Sequence, residues 1–276
     1  MKDVITGDFA PWRLQLGPPR KLRVINWNID RGLRLPEVAD FLASQQADLL
    51  TLQELDVNAR RTHYRNVAEE LARKLGMNYV FGREFEELTQ GSRTSPAYHG
   101  QATLSRWCLK NPRVIRFRCQ SGFWRPRWFL PKTAPFQERL GGRIALVTEV
   151  DIQGRLFTVY NLHLESRGND NLRLSQLQEV LDDAARYPAR MPTLVAGDLN
   201  FDISKGQPAA LIQQTGFRNV FGESRFHTRP AHGVFGNPRT IDWALISGPL
   251  EATPGQVYAN VSASDHYPIS FVLQFS

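Results

Sequence analysis

The stretch that most constrains the fold is TLVAGDLN, at residues 193–200. Its apolar residues at 194–196 form a short run that stops at Gly197, which is typical of a buried β-strand. Asp198 and Asn200 follow at once, and open α/β sheets place their ligand sites at the carboxyl ends of strands. Taken alone, Gly-Asp and Asn also suit an ordinary turn. The stretch therefore predicts a strand followed either by a functional loop or by a simple turn.

Other apolar runs along the chain end at similar polar side chains. Strands are predicted at 21–26, 48–53, 78–82, 101–105, 143–150, 156–162, 240–247 and 266–273. Helical spacing of apolar residues predicts helices at about 36–46, at 64–75, after an N-cap at Asp170 or Asn171, and at 208–214. This alternation of hairpins with strand-helix units indicates one α/β domain. The polar residues at the ends of these runs or inside them are Asn28, Asp30, Glu54, His163, Asp198, Asn200, Asp242, Asp265 and His266.

Composition separates a basic segment from the rest of the chain. The 276 residues carry a net charge of +7, yet no Asp or Glu lies between residues 88 and 137, where nine Lys and Arg residues occur. We interpret residues 1–20 as a leader and 21–276 as one domain with a basic aromatic insertion at about 107–137. The insertion is either a polyanion-binding surface or a solvated loop with packed aromatics. Two cysteines indicate no disulfide framework, and the absence of a long apolar run or signal peptide predicts a cytoplasmic protein.

The residue types at the strand ends favour metal-assisted phosphoryl chemistry. Oxygen ligands without cysteine suit a hard cation, Mg²⁺ or Mn²⁺, rather than a thiolate zinc site. A carboxylate can orient or deprotonate water, and histidine can stabilise the charge that develops on phosphate. Taken singly, Glu54 also suits a surface position at a strand end and His163 a core position. His63, His99, His227 and His232 lack this setting and are predicted to be surface or packing residues.

Six short motifs occur in an order that resembles the endonuclease/exonuclease/phosphatase superfamily. They are WNID at 27–30, LQE at 52–54, NLHL at 161–164, GDLN at 197–200, IDW at 241–243 and SDH at 264–266. The resemblance implies a four-layered α/β fold in which two face-packed mixed β-sheets are flanked by helices. It also implies Mg²⁺ or Mn²⁺ held chiefly at Glu54, with Asp30 and Asp265 close by.

The same resemblance assigns roles to the remaining motif residues. Asp198 would orient or activate water, while Asn28 and Asn200 would hold that water and the phosphate. His266 would contact a phosphoryl oxygen with its ring fixed by Asp242, and His163 would stabilise the phosphate or assist the leaving group.

Within the superfamily, NID and HLESR are similar to the tyrosyl-DNA phosphodiesterase branch, with exonuclease III-like sequences as a further resemblance. This similarity implies that Ser166 and Arg167 touch the phosphate. Related bacterial sequences carry Asn where this chain has Gln101, which puts a substrate contact at that position in doubt.

Three classes of function fit these features. The first is a monomeric phosphodiesterase acting on DNA, including single-stranded or damaged DNA, because cations contact phosphates and aromatic rings stack on unpaired bases. Trp124, Arg125, Arg127 and Trp128 are the predicted contacts in the insertion. The alternative is a phosphatase or phosphodiesterase acting on lipid or inositol head groups, with WFL at 128–130 inserted into a membrane interface. The third is a binding module that has kept the fold without activity.

Overall fold

The computed structural model describes residues 3–11, 18–122, 138–222, 226–231 and 236–275. Its strands are β1 (Val4–Gly7), β2 (Lys21–Arg31), β3 (Leu49–Val57), β4 (Asn78–Glu87), β5 (Ala97–Ser105), β6 (Cys108–Arg116), β7 (Arg139–Gly141), β8 (Ile144–Ile152), β9 (Arg155–His163), β10 (Thr193–Asp198), β11 (Arg218–Asn219), β12 (Asp242–Ser247), β13 (Leu250–Ala252), β14 (Gln256–Val257) and β15 (Ile269–Phe275). Its α-helices are α1 (Leu35–Gln45), α2 (Val67–Leu75), α3 (Asp170–Ala184) and α4 (Gly206–Gln214), and a 3₁₀ turn spans Arg60–Thr62.

The strands form two mixed sheets that pack face to face. The first sheet has the order β1-β4-β5-β3-β2-β15-β13, with β7 paired to β4 and β14 to β15. The second has the order β11-β12-β10-β9-β8-β6. Close approach of the sheets is visible at Gly82, where an added Cβ would lie 3.0 Å from Leu146 Cδ1 and 3.1 Å from Ile144 Cδ1. The predicted α/β sandwich of two sheets with helices is confirmed.

Alternation along the central strands explains how helices cover the outer faces. On β2, Ile25 and Trp27 pack in the same apolar cluster as Val38 and Leu42 of α1. A strand turns successive side chains to opposite faces, so the residues between them face the second sheet. Likewise, Tyr160 of β9 donates its hydroxyl to Asp183 of α3 on the outer side of the second sheet. Burial of both sheet faces is the reason that these strands read as nearly continuous apolar runs.

Polar side chains replace apolar ones between the sheets near one end of the sandwich. Gln53 Nε2 donates to Asn26 Oδ1 and to Asn161 Oδ1, each at 2.8 Å, which joins β3 and β2 to β9. Asn161 Nδ2 donates in turn to the carbonyl oxygens of Leu52 and Ala102. Because buried amides need partners, this network fixes the alignment of the two sheets directly beneath the polar end.

Several boundaries differ from those that the sequence predicts. Val4–Gly7, inside the predicted leader, pair with β4 as an edge strand. Helix α2 begins at Val67 rather than at residue 64, because the Asn66 side chain accepts from the backbone N–H of Glu69 and caps it. Asn169, not Asp170 or Asn171, caps α3 in the same way.

Strand β2 continues through Arg31 and β3 through Val57, so Asp30 and Glu54 lie within strands rather than after them. Within the described residues, no helix is both long and apolar enough to span a bilayer.

Candidate active site

Both sheets contribute side chains to one polar cleft at the end of the sandwich. The cleft has a volume of about 440 Å³. On the second sheet, neighbouring strands place His163 beside Asp198 and Asp198 beside Asp242 in register. Residues in register on adjacent strands share a sheet face, so these three side chains point the same way. The described residues that line the cleft are Asp30, Arg31, Glu54, His99, Glu138, Arg139, Arg143, His163, Ser166, Arg167, Asp198, Asn200, Arg229, Asp265 and His266.

Asp198 lies between two histidines in the buried part of the cleft. Its Oδ2 atom is 3.6 Å from His163 Nε2 and 3.7 Å from His266 Nε2. Its Oδ1 atom accepts the backbone N–H of Asn200 at 3.0 Å. These contacts aim one carboxylate oxygen at the space between the rings, where a water molecule could be oriented and deprotonated.

Asp242 and a backbone contact fix His266. Asp242 Oδ2 is 2.9 Å from His266 Nδ1, and the Trp27 indole N–H donates to the His266 carbonyl oxygen at 2.8 Å. Burial alone would lower the pKa of His266, but the carboxylates of Asp242 and Asp198 raise it to about 10. The ring therefore keeps both protons at neutral pH and can donate Nε2–H to an anion.

Asn28 joins the two walls of the cleft. Its Nδ2 atom lies 3.2 Å from both Glu54 Oε1 on the first sheet and Asp198 Oδ2 on the second. Its Oδ1 atom accepts the backbone N–H of Asp30 at 3.1 Å. A single carboxamide thus sets the positions of three carboxylate-bearing residues.

Backbone distortions place the carboxylates of the first sheet. The β2–β3 register shifts between Asn28 and Arg31, and the β3–β5 register shifts between Leu52 and Leu55. Asp30, Arg31 and Glu54 have φ values of 43°, 65° and 54°, in the left-handed region that non-glycine residues seldom occupy. Bulges re-aim side chains, and here they turn Asp30 and Glu54 toward the cleft.

The charges around these carboxylates have opposite effects on two of them. Burial alone would raise the pKa of Glu54, but the positive charges around it, those of Arg31 and Arg143 among them, hold that pKa well below the usual range. Burial raises the pKa of Asp30, with the Glu54 and Asp265 carboxylates adding to the effect and Arg31 opposing it. Arg31 pairs with Asp30, and Arg229 Nη2 pairs with Asp265 Oδ2 at 2.6 Å. The repulsion among Asp30, Glu54 and Asp265 would be relieved by a bound cation.

Two groups of residues in the cleft could hold a divalent cation. Donor atoms of Asp198, Asp242 and His266 lie within 4.8 Å of one another. His266 Nδ1 is engaged by Asp242, however, and a protonated ring offers no lone pair to a metal. The carboxylates of Glu54, Asp30 and Asp265 supply the hard oxygen ligands that Mg²⁺ and Mn²⁺ take, and all three line the cleft. The residues present therefore fit the cation that the sequence predicts.

The predicted site residues converge as a group. Asp30, Glu54, His163, Ser166, Arg167, Asp198, Asn200, Asp265 and His266 line the cleft, while Asn28 and Asp242 are buried behind it. Gln101 is fully buried and donates to the Ile144 carbonyl oxygen, so it joins the sheets. Trp124, Arg125, Arg127 and Trp128 lie outside the described residues.

Several cleft residues have no counterpart in the sequence prediction. His99, expected at the surface or in packing, is buried, lines the cleft and has its Nδ1 2.9 Å from Asp56 Oδ1. Arg143 and Glu84 form a buried ion pair at 2.8 Å beside His163. The sequence signal for this pair was the position of Arg143, a charged residue at the start of an apolar run. A charge buried there requires a partner of opposite charge.

Most cations of the basic segment are paired with acids from distant parts of the chain. Of the six that the structure describes, five have such partners, namely Arg106–Asp48, Lys110–Asp151, Arg113–Asp183, Arg116–Asp3 and Arg118–Glu179. The charge imbalance in sequence is therefore largely neutralised in space over that part of the segment. Arg93 is the sixth described cation, and the cations at 125, 127 and 132 lie outside the described residues.

Comparisons with known proteins agree with this geometry. The model of the Endonuclease/Exonuclease/phosphatase family matches residues 25–266. No curated protein sequence matches the chain. An endonuclease/exonuclease/phosphatase from Beutenbergia cavernae has a TM-score of 0.68 at 20% identity, over 94% of this chain and 72% of that chain.

Two further structures share the fold. TDP2 from C. elegans has a TM-score of 0.62 at 20% identity, over 93% of this chain and 75% of that chain. The human Nocturnin catalytic domain, solved with a bound sulfate anion, has a TM-score of 0.68 at 19% identity, over 99% and 98% of the two chains.

Proposed function

Because the chain belongs to the endonuclease/exonuclease/phosphatase family of metal-dependent phosphoesterases, we propose that it hydrolyses phosphodiester bonds in DNA with Mg²⁺ or Mn²⁺. The observation that carries the proposal is the cleft itself. It combines partly exposed carboxylates, a buried Asp198 between two histidines, and several guanidinium groups in one polar space. Such a set matches the needs of phosphoryl transfer, in which positioning and charge stabilisation supply most of the catalysis.

Asp198 is the proposed base. It takes a proton from a water whose oxygen attacks phosphorus, while the bond from phosphorus to the leaving oxygen breaks. Asn28 orients Asp198 through the 3.2 Å contact, and Asn200 holds the water and phosphate beside it. This arrangement places the attacking water between the walls of the cleft.

The two histidines act on the phosphoryl group. His266, kept protonated by Asp242 and Asp198, donates Nε2–H to a phosphoryl oxygen. His163 donates from the opposite side of Asp198, and Ser166 and Arg167 bind the phosphate near it. Donors already aimed at developing charge need no reorganisation during the reaction.

Glu54 is the proposed principal metal ligand, with Asp30 and Asp265 completing the protein's share. When bound there, the cation neutralises charge on the phosphoryl oxygens and the leaving group. Ion pairs with Arg31 and Arg229 hold the two outer carboxylates in place.

DNA is favoured over lipid by the lining of the cleft. Every described lining residue is polar or charged, which suits contact with the phosphates and sugars of a nucleic acid rather than with acyl chains. The lipid alternative rests on residues 128–130, which lie outside the described part of the chain. The polar lining of the cleft therefore supports a nucleic-acid substrate.

The test is metal-dependent turnover on three parallel substrates: plasmid DNA, a single-stranded oligonucleotide and a phosphoinositide in vesicles. We expect DNA cleavage with Mg²⁺ or Mn²⁺, lost with EDTA and in His266→Ala, and retained in His63→Ala, which changes an exposed histidine. DNA binding should weaken as salt rises, because displaced counterions contribute to affinity.

Head-group release from the vesicles with intact DNA would reject DNA and keep the same catalytic residues. Binding without turnover of any of the three substrates would reject a hydrolase acting on DNA or lipid.

A further inference from the structure

Arg143 is buried directly beneath the phosphate-binding side of the cleft. It is 4% exposed, and its guanidinium contacts three side chains at once. Nη1 is 2.8 Å from Glu84 Oε2 and 2.8 Å from His163 Nδ1, and Nη2 donates to Ser166 Oγ at 3.1 Å. His163 and Ser166 both line the cleft, whereas Glu84 is buried behind them.

The contact with His163 determines which ring nitrogen carries the proton. A guanidinium has only N–H donors and does not deprotonate in proteins. A separation of 2.8 Å between Arg143 Nη1 and His163 Nδ1 is a hydrogen bond only if Nδ1 accepts. The ring proton is then on Nε2, which points toward Asp198 and Glu54 in the cleft.

The competing arrangement has His163 donating from Nδ1 to Glu84. The Nδ1 to Glu84 Oε1 distance is 3.4 Å, longer than the 2.8 Å contact with Arg143 and beyond the usual range of an N–H···O hydrogen bond. A proton on Nδ1 would also face the N–H of Arg143 head-on at 2.8 Å. The geometry therefore favours the Nε2–H tautomer.

The same reasoning applies to Ser166. A hydroxyl has one proton and two lone pairs. Because Arg143 Nη2 donates into Ser166 Oγ, the hydroxyl proton remains for another acceptor, and the open direction is the cleft. Two neutral side chains are thus left as outward-facing donors by one guanidinium.

We propose that Arg143 is a positioning residue that makes His163 Nε2–H and Ser166 O–H converge as donors on one anion in the cleft. Glu84 holds the guanidinium by the 2.8 Å ion pair and balances its buried charge. The identity of that anion as a substrate phosphate rests on the proposed function, but the tautomer does not.

The direct test is NMR of ¹⁵N-histidine-labelled protein without substrate, with His163 signals assigned from a His163→Gln variant. We expect an unprotonated Nδ1 and a protonated Nε2 in the wild type. Arg143→Lys, which keeps a donor, should retain this pattern. Arg143→Met should transfer the proton to Nδ1, where Glu84 can accept it, or produce a mixture of tautomers.

A matched control is Arg61→Met, which removes another arginine from a buried carboxylate without touching His163. Its His163 tautomer should equal that of the wild type. If Arg143→Met does not fold, Arg143→Met with Glu84→Gln removes both buried charges and repeats the measurement. A proton on Nδ1 in the wild type, or an unaltered Nε2–H pattern without Arg143, would overturn the proposal.

Kinetics provide a second readout once a substrate is in hand. Arg143→Met should lower kcat about 10-fold or more, since misplaced donors no longer meet the developing charge, and Arg143→Lys should recover part of the loss. Because the NMR measurement needs no substrate, failure of the DNA assay would not affect the tautomer result. Likewise, a different tautomer would not affect the outcome of the DNA assay.

Discussion

The two walls of the cleft are built in opposite ways. On the second sheet, His163, Asp198 and Asp242 occupy successive positions across regular strands and are at most 2% exposed. On the first sheet, Asp30 and Glu54 sit at register shifts with left-handed backbone and are 30% and 20% exposed. The buried wall keeps protons and orientation fixed, whereas the distorted wall leaves carboxylates open to a cation.

This contrast ties each kind of backbone to one kind of chemistry. Regular register aligns neighbouring side chains at no conformational cost, which suits groups that need exact hydrogen bonds. Left-handed non-glycine residues cost about 1–3 kcal/mol each and persist only where surroundings hold them. At Asp30 the hydrogen bond from the backbone N–H to Asn28 Oδ1 is one such restraint. Asn28 also contacts Asp198 of the buried wall, so this one side chain helps to stabilise both walls.

The largest expected effect comes from the buried wall. Asp198→Asn keeps the shape of the side chain but removes the proposed base, so kcat should fall about 10³-fold. Steady-state turnover at saturating Mg²⁺ measures this, with Asp202→Asn, which changes an exposed neighbour, as the control. Full turnover in Asp198→Asn would show that Asp198 is not the base, and the proposed role of the buried wall in proton transfer would be wrong.

A second prediction concerns the ion pair between Asp56 and Arg61, which stabilises the distorted wall. Asp56 lies beyond Glu54 on β3 and accepts from Arg61 Nε at 2.6 Å and Arg61 Nη2 at 2.8 Å. Burial alone would raise the pKa of Asp56, but the hydrogen bonds from Arg61 and His99 lower it. The folded-state pKa is thus below the unfolded value of about 3.9, and the resulting stability is present above that pH and lost as pH falls through the folded pKa.

Asp56→Asn should therefore lower the free energy of unfolding by about 2 kcal/mol at pH 7. Denaturant unfolding at pH 7 and at acidic pH measures the change, and the gap from wild type should narrow in acid. Asp40→Asn, which breaks an exposed pair with Lys74, should cost about 0.5 kcal/mol or less. Equal costs for the two variants would contradict the role of the buried ion pair.

The smallest predicted effect is on pH dependence. Asp242 and Asp198 raise the pKa of His266 to about 10, so the proposed donor stays protonated up to that pH. Asp242→Asn removes one carboxylate and should lower that pKa, which moves the alkaline decline of kcat/KM to lower pH. At pH 7 the variant should lose about 10-fold through poorer ring orientation. An unshifted alkaline decline would mean that His266 does not act in its protonated form.

The buried wall was more predictable from sequence than the distorted wall. His163, Asp198 and Asp242 each stand at the end or start of an apolar run, and strand pairing brings such positions together. Asn28, Glu54 and His266 were candidates on the same pattern, and family resemblance added their roles; they converge although 238 positions separate the first from the last. The alternation of hairpins with strand-helix units predicted one α/β domain, and the two-sheet architecture came from the family resemblance.

The distorted wall and the supporting ion pairs were not predictable in the same way. A one-residue register shift has no periodic signature, so Glu54 was expected after a strand rather than inside it. Arg143 and Glu84 lie far apart in sequence, so their role could be recognised only once the structure placed them as a buried pair beside His163. The pairing of cations in the described part of the basic segment was also not predictable, because strand pairing brings Asp151 to Lys110 and helix α3 brings Asp183 to Arg113.

The most direct test of the division between the walls is Mn²⁺ binding, measured by electron paramagnetic resonance on protein without substrate. The account predicts that Glu54→Gln weakens binding about 100-fold, because it removes the principal hard oxygen ligand, while Asp242→Asn leaves binding unchanged. Loss of binding in Asp242→Asn with unaltered binding in Glu54→Gln would place the cation among Asp198, Asp242 and His266. That result would contradict the assignment of metal to the distorted wall and protons to the buried one.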